Sequence, residues 1–401
     1  MPANVSSDYI YLDYAATAPL CEEAARAMAP YQVPGRVNLA VGGNANSLHS
    51  PGRAAFEAME AARKTVARCL GARRPDEVVF TSGATEADDA VLFGVAKAER
   101  DRRRRAGAGD FTPRVVVSAI EHDAVLHPAK RLERQGFRVS YLAPDARGFV
   151  SPAALERVID EDTVLVSVQM ANSEVGSIQP VAELARVAHD AGSLFHTDAV
   201  QALGKTPVDV SALDVDAASF SAHKIGGPKG VGALYLRTRT PFDAFMLGGG
   251  QESGRRSGTQ NVAGIAGFAA ACGAAVANLE EESARLRLLR DRLYAGLAAF
   301  GPVSPTVSVE GGSVDFLPNI VHVLVDGLES ETMILRLDMA GIGVSGGSAC
   351  SSPSLEPSHV LKAMGVSGDR AYGALRISMG RYTVDSDVEA LLSAMQGVLD
   401  W

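Results

Sequence analysis

Cysteine is scarce: four residues in 401, at positions 21, 69, 272 and 350, with no Cys-x-x-Cys pair among them. That spacing argues against a disulfide framework and against a cysteine zinc site. Positive charge is also in deficit. Lys and Arg total 38 against 47 Asp and Glu, for a net charge of -9, which speaks against sequence-independent nucleic-acid binding. The strongest basic run, Arg102 to Arg105, sits between a helical stretch and Ala-Gly-Ala-Gly-Asp and reads as a solvated loop. Long membrane-type apolar runs are missing as well. The stretch from Ala263 to Leu279 is apolar, but it is built of Ala and Gly and acidic residues follow at once, so a buried or connecting helix is expected. Met1 to Asp8 carries neither a basic segment nor an apolar core, so no signal peptide is expected and the cytoplasm is the expected compartment. Lys229-Gly230 lacks the spacing of a P-loop. Internal repeats and low-complexity tracts are absent too.

What is present is an apolar share of 47%, enough for a large core, and a length at which division into two domains is expected. Between residues 60 and 240, helix-period segments alternate with short apolar runs: 77–81, 114–118, 138–142, 163–168, 193–196 and 232–237. Near-continuous apolar strands between helices predict an α/β fold, a mostly parallel sheet covered on both faces. Ligands of such sheets gather at the carboxyl ends of the strands. A Gly-rich passage, 248–259, precedes a long helical pattern from Ala263 to about Phe300, which places a boundary there. The expected division is a large domain at 15–262 and a smaller α+β domain formed by 1–14 and 263–401.

Two segments carry the chemistry. Phe195-His-Thr-Asp198 is an apolar run ending in an acid, and Phe220-Ser-Ala-His-Lys224 is one ending in a lysine before Gly226-Gly227-Pro228. An acid for a pyridinium nitrogen and an amine for a Schiff base are the two groups that pyridoxal phosphate requires. Gln201, a helical turn past Asp198, could reach the cofactor's phenolic oxygen, with Asp198 as a helix N-cap the competing reading. Thr81 to Glu86 follows a strand and opens a helix, which suits either a phosphate or an ordinary cap. His122 stands at a strand end, where it could lie on a cofactor ring or serve structure. Asn172 fits a cofactor or substrate contact and a turn about equally well. Ser221 and His223 crowd around Lys224. Cys350 lies in Ser-Gly-Gly-Ser-Ala-Cys-Ser-Ser, a setting for a thiolate that must travel; the other three cysteines sit in Ala- and Leu-rich contexts as small hydrophobes. Arg376, near the C-terminus, suits a two-pronged bond to an amino-acid carboxylate, with a surface ion pair as the alternative.

In their order along the chain these motifs resemble the pyridoxal-phosphate-dependent cysteine desulfurases of the NifS/IscS-like group, within the class-V aminotransferases. The resemblance runs from Tyr11-Leu-Asp-Tyr-Ala-Ala-Thr17 to Arg381, with Ser-Ala-His-Lys and Gly-Ser-Ala-Cys-Ser-Ser its most specific elements. It implies the fold type I architecture and a homodimer with active sites at the subunit interface. It implies pyridoxal 5'-phosphate on Lys224, Asp198 at the ring nitrogen, His122 on the ring face and Gln201 at the ring oxygen. Ala84, Thr85, Ser221 and His223 would hold the phosphate, joined by Thr259 from the other subunit. Asn172 and Arg376 would hold the carboxylate of L-cysteine, and Cys350 would take its sulfur as a persulfide for an acceptor protein, leaving L-alanine. Membrane and nucleic-acid partners are not expected. Tyr14, Ala18, Asp89 and Ser173 depart from the group's usual residues, and none of these removes a catalytic group. Because the chain closes at Trp401, a housekeeping-type scaffold is expected to bind weakly. A related aminotransferase or selenocysteine lyase would keep the cofactor site without needing Cys350 for cysteine desulfuration, and a non-catalytic assembly subunit would need neither; intact Asp198, Lys224 and Cys350 favour the desulfurase.

Overall fold

The computed structural model describes residues 9–35, 43–107, 109, 111–346 and 357–400. Seven strands form the main sheet: β1 (Val78–Thr81), β2 (Arg114–Ser118), β3 (Arg138–Leu142), β4 (Thr163–Ser167), β5 (Leu194–Asp198), β6 (Ala217–Ser221) and β7 (Gly232–Leu236). Their spatial order is β1-β7-β6-β5-β4-β2-β3, parallel except that β7 runs against both its neighbours. All six expected strands are present, shifted at their ends by a residue or two, and β6 is the seventh. Burial explains the composition. Every residue of β1, β4, β6 and β7 is buried, as a sheet covered on both faces demands. Because β7 reverses direction twice over, β1, β2, β4, β5 and β6 all point the same way. Thr81, Ser118, Ser167, Asp198 and Ser221 therefore finish along one edge.

A second unit is built on an antiparallel three-stranded sheet, β8 (Val303–Pro305), β9 (Ile320–Val325) and β10 (Ala374–Ser378), with β9 in the centre. Helices Leu279–Leu297, Ser330–Met339 and Asp385–Leu399 pack around it, and Leu12, Leu293, Val323, Met333, Leu375 and Leu391 share its core. The N-terminal strand Ile10–Tyr11 joins this unit by parallel pairing with Ile342–Gly343.

The long helical pattern after residue 263 is two helices, Val262–Ala277 and Leu279–Leu297, which meet at 72°. Ile265, Phe268 and Cys272 of the first lie in the core of the main sheet, whereas Leu286, Leu289 and Leu293 of the second lie in the other core. Asn278 makes the break, its side-chain amide donating to Ala274 O at 2.9 Å as a local stop. Packing thus changes partner at Asn278, and residues 263–277 pack with the main sheet. Arg102 to Arg105 likewise depart from the sequence reading, since they form the last turn of a helix, Ala96–Arg105, rather than a loop. Buried Glu99 accepts from Arg102 and Arg103, and Arg103 also reaches the carbonyls of Thr163 and Gly192. Among the described residues no single helix is long and apolar enough to cross a membrane; the bent pair at Asn278 meets the length and composition test only when taken together.

Candidate active site

The strand ends open into a cavity of about 500 Å³, and Lys224 is in its wall. β6 stops at Ser221 and the chain makes one 3-10 turn, Ala222–Ile225, that Gly226 ends with a left-handed φ of 78°. A Cβ on Gly227 would approach that of Ala222 to 2.8 Å, so the tight return that aims Lys224 inward needs the bare backbone. The Lys224 ammonium donates to Ala15 O at 2.6 Å and Ala16 O at 2.9 Å. These carbonyls belong to the N-terminal segment that crosses between the two units.

Asp198 ends β5 and is 8% exposed. Burial raises its pKa, while the Val200 N–H and the charge of Lys224 act in the opposite sense. Two further acids share the floor. Asp88 is 1% exposed, and among the described residues neither of its carboxylate oxygens has a hydrogen-bond partner. Burial and the neighbouring Asp198 hold its pKa well above the ordinary range. Its approach to His196 at 3.6 Å is no ion pair, because burial lowers the His196 pKa to about 3 and leaves that imidazole neutral between Ser167 and Ser219. Glu121 accepts from Ser118 Oγ at 2.5 Å and Gln169 N at 2.7 Å, and burial pushes its pKa up to about 8. Burial disfavours the charge on all three acids, and Asp198 is the one of them on which the Lys224 charge acts to favour the ionised form. His122 caps the helix Asp123–Glu133, its Nδ1 accepting from Ala124 N at 3.1 Å. A neutral imidazole that accepts at Nδ1 carries its proton on Nε2.

The wall also includes Ser82, Ala84, Thr85, Ser221, His223, Lys224 and Lys229. Glu86 reaches back to accept from Ser82 N at 2.8 Å and is held by Arg256 at 2.7 Å, but Gly83 is the N-cap residue and no Ser or Thr side chain caps this helix. His223 bonds Thr17 Oγ1 at 3.1 Å, and burial together with Lys224, Lys205 and Lys229 drives its pKa to about 4. Positive potential is concentrated where an anion would be stabilised.

On the side facing the second unit, Arg376 of β10 is 2% exposed and still borders the cavity. Its Nη1 donates to Ser173 O and its Nη2 to Asp13 Oδ1, each at 2.9 Å. Asn172 does not line the cavity. Its Oδ1 accepts from Glu174 N and Val175 N, and its Nδ2 donates to Ile120 O at 3.2 Å, which makes it a turn residue supporting the wall. Thr259 is exposed and lies away from this cavity. Cys350 lies outside the described residues. The chain on either side of it borders the site: Ser345 exchanges backbone hydrogen bonds with Arg376, Ser358 Oγ donates to Glu174 Oε2 at 2.6 Å, and His359 lines the wall.

The class-V aminotransferase family profile matches residues 10–391. A relative from Methanosarcina thermophila, cysteine desulfurase IscS, is 42% identical over 99% of this chain and 94% of its own length. The chain belongs to the cysteine desulfurases of the class-V aminotransferase family. Among solved structures, a NifS-like protein superposes with a TM-score of 0.86 at 37% identity, covering 98% of this chain and 99% of its own. SspA, solved in complex with cysteine, gives 0.77 at 32% identity over 94% of this chain and 100% of its own. Family members depend on pyridoxal 5'-phosphate, and the residues of this desulfurase fit that group. A cavity of about 500 Å³ suits a small cofactor with its substrate. It offers an amine, a buried acid and a group of Lys224, Lys229 and His223, the last held neutral by burial and by the lysine charges around it.

Sequence reading missed Asp88 and Glu174 in the wall of this cavity and Lys205 behind Gln201. The signal for Lys205 was available, an unpaired charge four residues past Gln201 in an otherwise apolar stretch. Asp88 and Glu174 gave none, since exposed helix and loop acids look the same in sequence.

Proposed function

We propose that this cavity binds pyridoxal 5'-phosphate and L-cysteine in a homodimeric, cytoplasmic sulfurtransferase, with Lys224 carrying the cofactor and Cys350 receiving the sulfur. The observation that carries the reading is the convergence of Lys224, Asp198, His122 and Arg376, from four separate segments, on one cavity. When bound, the cofactor supplies an electron sink for the pair left at Cα as its proton departs. Lys224 Nζ takes that proton, starting from its seat on Ala15 O and Ala16 O. Asp198 would keep the ring nitrogen protonated, His122 would lie on the ring face and move protons there, and Gln201 would face the ring oxygen. Ala84, Thr85, Ser221 and His223 would take the phosphate, with Thr259 of the partner subunit.

Arg376 takes the substrate carboxylate; Asn172, committed to its turn, shapes the wall behind it. The Cys350 thiolate then bonds to the substrate sulfur as the C–S bond breaks. The electron pair of that bond stays with the carbon fragment, which gains a proton at Cβ and leaves as L-alanine, so that cysteine plus thiol gives alanine plus persulfide. Two copies are supported by exposed Thr259 and by the exposed apolar run Phe245, Met246 and Leu247 in the same passage. An acceptor docks beside residues 345–354, because a few Gly and Ser residues allow a persulfide only short reach. The test is to incubate the protein with pyridoxal phosphate, L-cysteine and a thiol reductant. Equal yields of alanine and sulfide are expected. Alanine formation that persists unchanged in Cys350→Ala under the same reductant would assign the sulfur step elsewhere.

A further inference from the structure

Lys205 is a buried lysine, 8% exposed, that the reaction as described does not use. It stands in the turn after β5, four residues past Gln201, and its Nζ donates to Gln201 Oε1 at 2.8 Å. Burial lowers its pKa to about 7, and the charges of Lys224 and Arg376, both of its own sign, act in the same direction. An ammonium is costly to bury without an acid partner. A position that keeps one there has a use for it.

The hydrogen-bond inventory shows what that use is. Lysine ammonium only donates, so the Gln201 atom facing it must be the carbonyl oxygen. The amide nitrogen is thereby turned the other way, where it donates to Ala15 O at 2.9 Å. That same carbonyl accepts from Lys224 at 2.6 Å. An amide nitrogen has two N–H groups. Ala15 O takes one, and the other is left for the cavity that Gln201 lines.

We propose that Lys205 is a positioning residue of the cofactor site, anchoring the Gln201 carbonyl so that the amide presents an N–H, never its oxygen, to the cofactor's phenolic oxygen. This rests on the reading of Gln201 given above. A donor at that oxygen favours its ionised form, and the positive charge of Lys205 behind the amide acts in the same direction. The second cavity, of about 310 Å³, which Lys205 and Lys224 both line, leaves room for a longer side chain at 205.

The experiment measures binding of pyridoxal phosphate to apoprotein by equilibrium titration, and the pH at which the visible band of the bound cofactor converts. Lys205→Met, Gln201→Ala, the double variant and Lys205→Arg are compared with wild type. Removing one charge-assisted hydrogen bond corresponds to about a tenfold weakening. Lys205→Met is expected to weaken binding by about that factor and to raise the conversion pH. Gln201→Ala should do the same, the double variant should add little, and Lys205→Arg should stay near wild type. Wild-type behaviour of Lys205→Met beside an altered Gln201→Ala overturns the role of Lys205 and leaves Gln201 standing. Wild-type behaviour of both removes the Gln201 reading as well. Fully additive effects would show that Lys205 acts other than through Gln201 and likewise overturn the proposal. Relief of ammonium burial should keep the thermal midpoint of Lys205→Met apoprotein at or above wild type; Lys205→Leu, also without a donor, serves the same comparison if the methionine variant does not fold.

Discussion

Arg376 Nη2 donates to Asp13 Oδ1 at 2.9 Å, joining strand β10 of the second unit to the N-terminal segment that also supplies the Ala15 and Ala16 carbonyls to Lys224. The arginine proposed to take the substrate carboxylate is thus held in place on both arms, the other by Ser173 O. Lysine at this position keeps the charge but loses the fork. Arg376→Lys is expected to raise KM for L-cysteine about 10- to 100-fold, the worth of one hydrogen bond to a charged group, with a smaller fall in kcat. Steady-state kinetics decide it, and an unchanged KM would remove Arg376 from the substrate site.

Lys224→Ala should abolish turnover and leave no cofactor that borohydride can fix to the protein. Among the lysines of the chain, Lys224 is the one held at a strand end inside the cavity by two backbone carbonyls. Peptide mapping after reduction is the measurement. A variant with full cysteine turnover would refute the assignment.

Cys350→Ala should still bind pyridoxal phosphate and exchange the Cα proton of L-cysteine with solvent, because the thiol acts after that proton has gone. Persulfide should be lost. In the wild type, mass spectrometry after L-cysteine without reductant should place the extra sulfur on the peptide containing residue 350. Cys21 and Cys272 are buried and Cys69 is half-buried, so sulfur found on any of them would redirect the mechanism.

Glu121 gives a pH prediction of definite sign. Its pKa of about 8 in the folded apoprotein lies above the ordinary carboxylate value, so between those two values the native state holds a proton that the unfolded chain has lost. Stability from this group is then complete at low pH and declines as pH rises toward 8, with a slope of up to about 1.4 kcal/mol per pH unit. Glu121→Gln removes the titration while keeping the acceptor for Ser118 and Gln169. The thermal midpoint of Glu121→Gln apoprotein, measured against wild type from pH 5 to 8, should rise relative to it as pH increases. A constant difference would mean that Glu121 is ionised throughout.

The sequence by itself determined six of the seven strands of the main sheet, because a strand covered on both faces must be apolar along its length. It also determined the order of Asp198 and Lys224, because strand ends are where such a sheet exposes polar groups. His122, Ser221, His223 and Arg376 were legible for the same reason, each standing at the end of an apolar run or within one. Only the tertiary structure decided what those positions face. It turned the Asn172 amide into its own turn, divided a single helical pattern at Asn278 between two cores, and made the arginines at 102 to 105 a helix end tied to Glu99. It also brought Lys205 behind Gln201 and packed Asp88 and Glu121 beside Asp198. Burial of a charged group depends on which segments come to cover it, and that is set by contacts between residues far apart in the chain, such as Ala15 with Lys224 and Asp13 with Arg376.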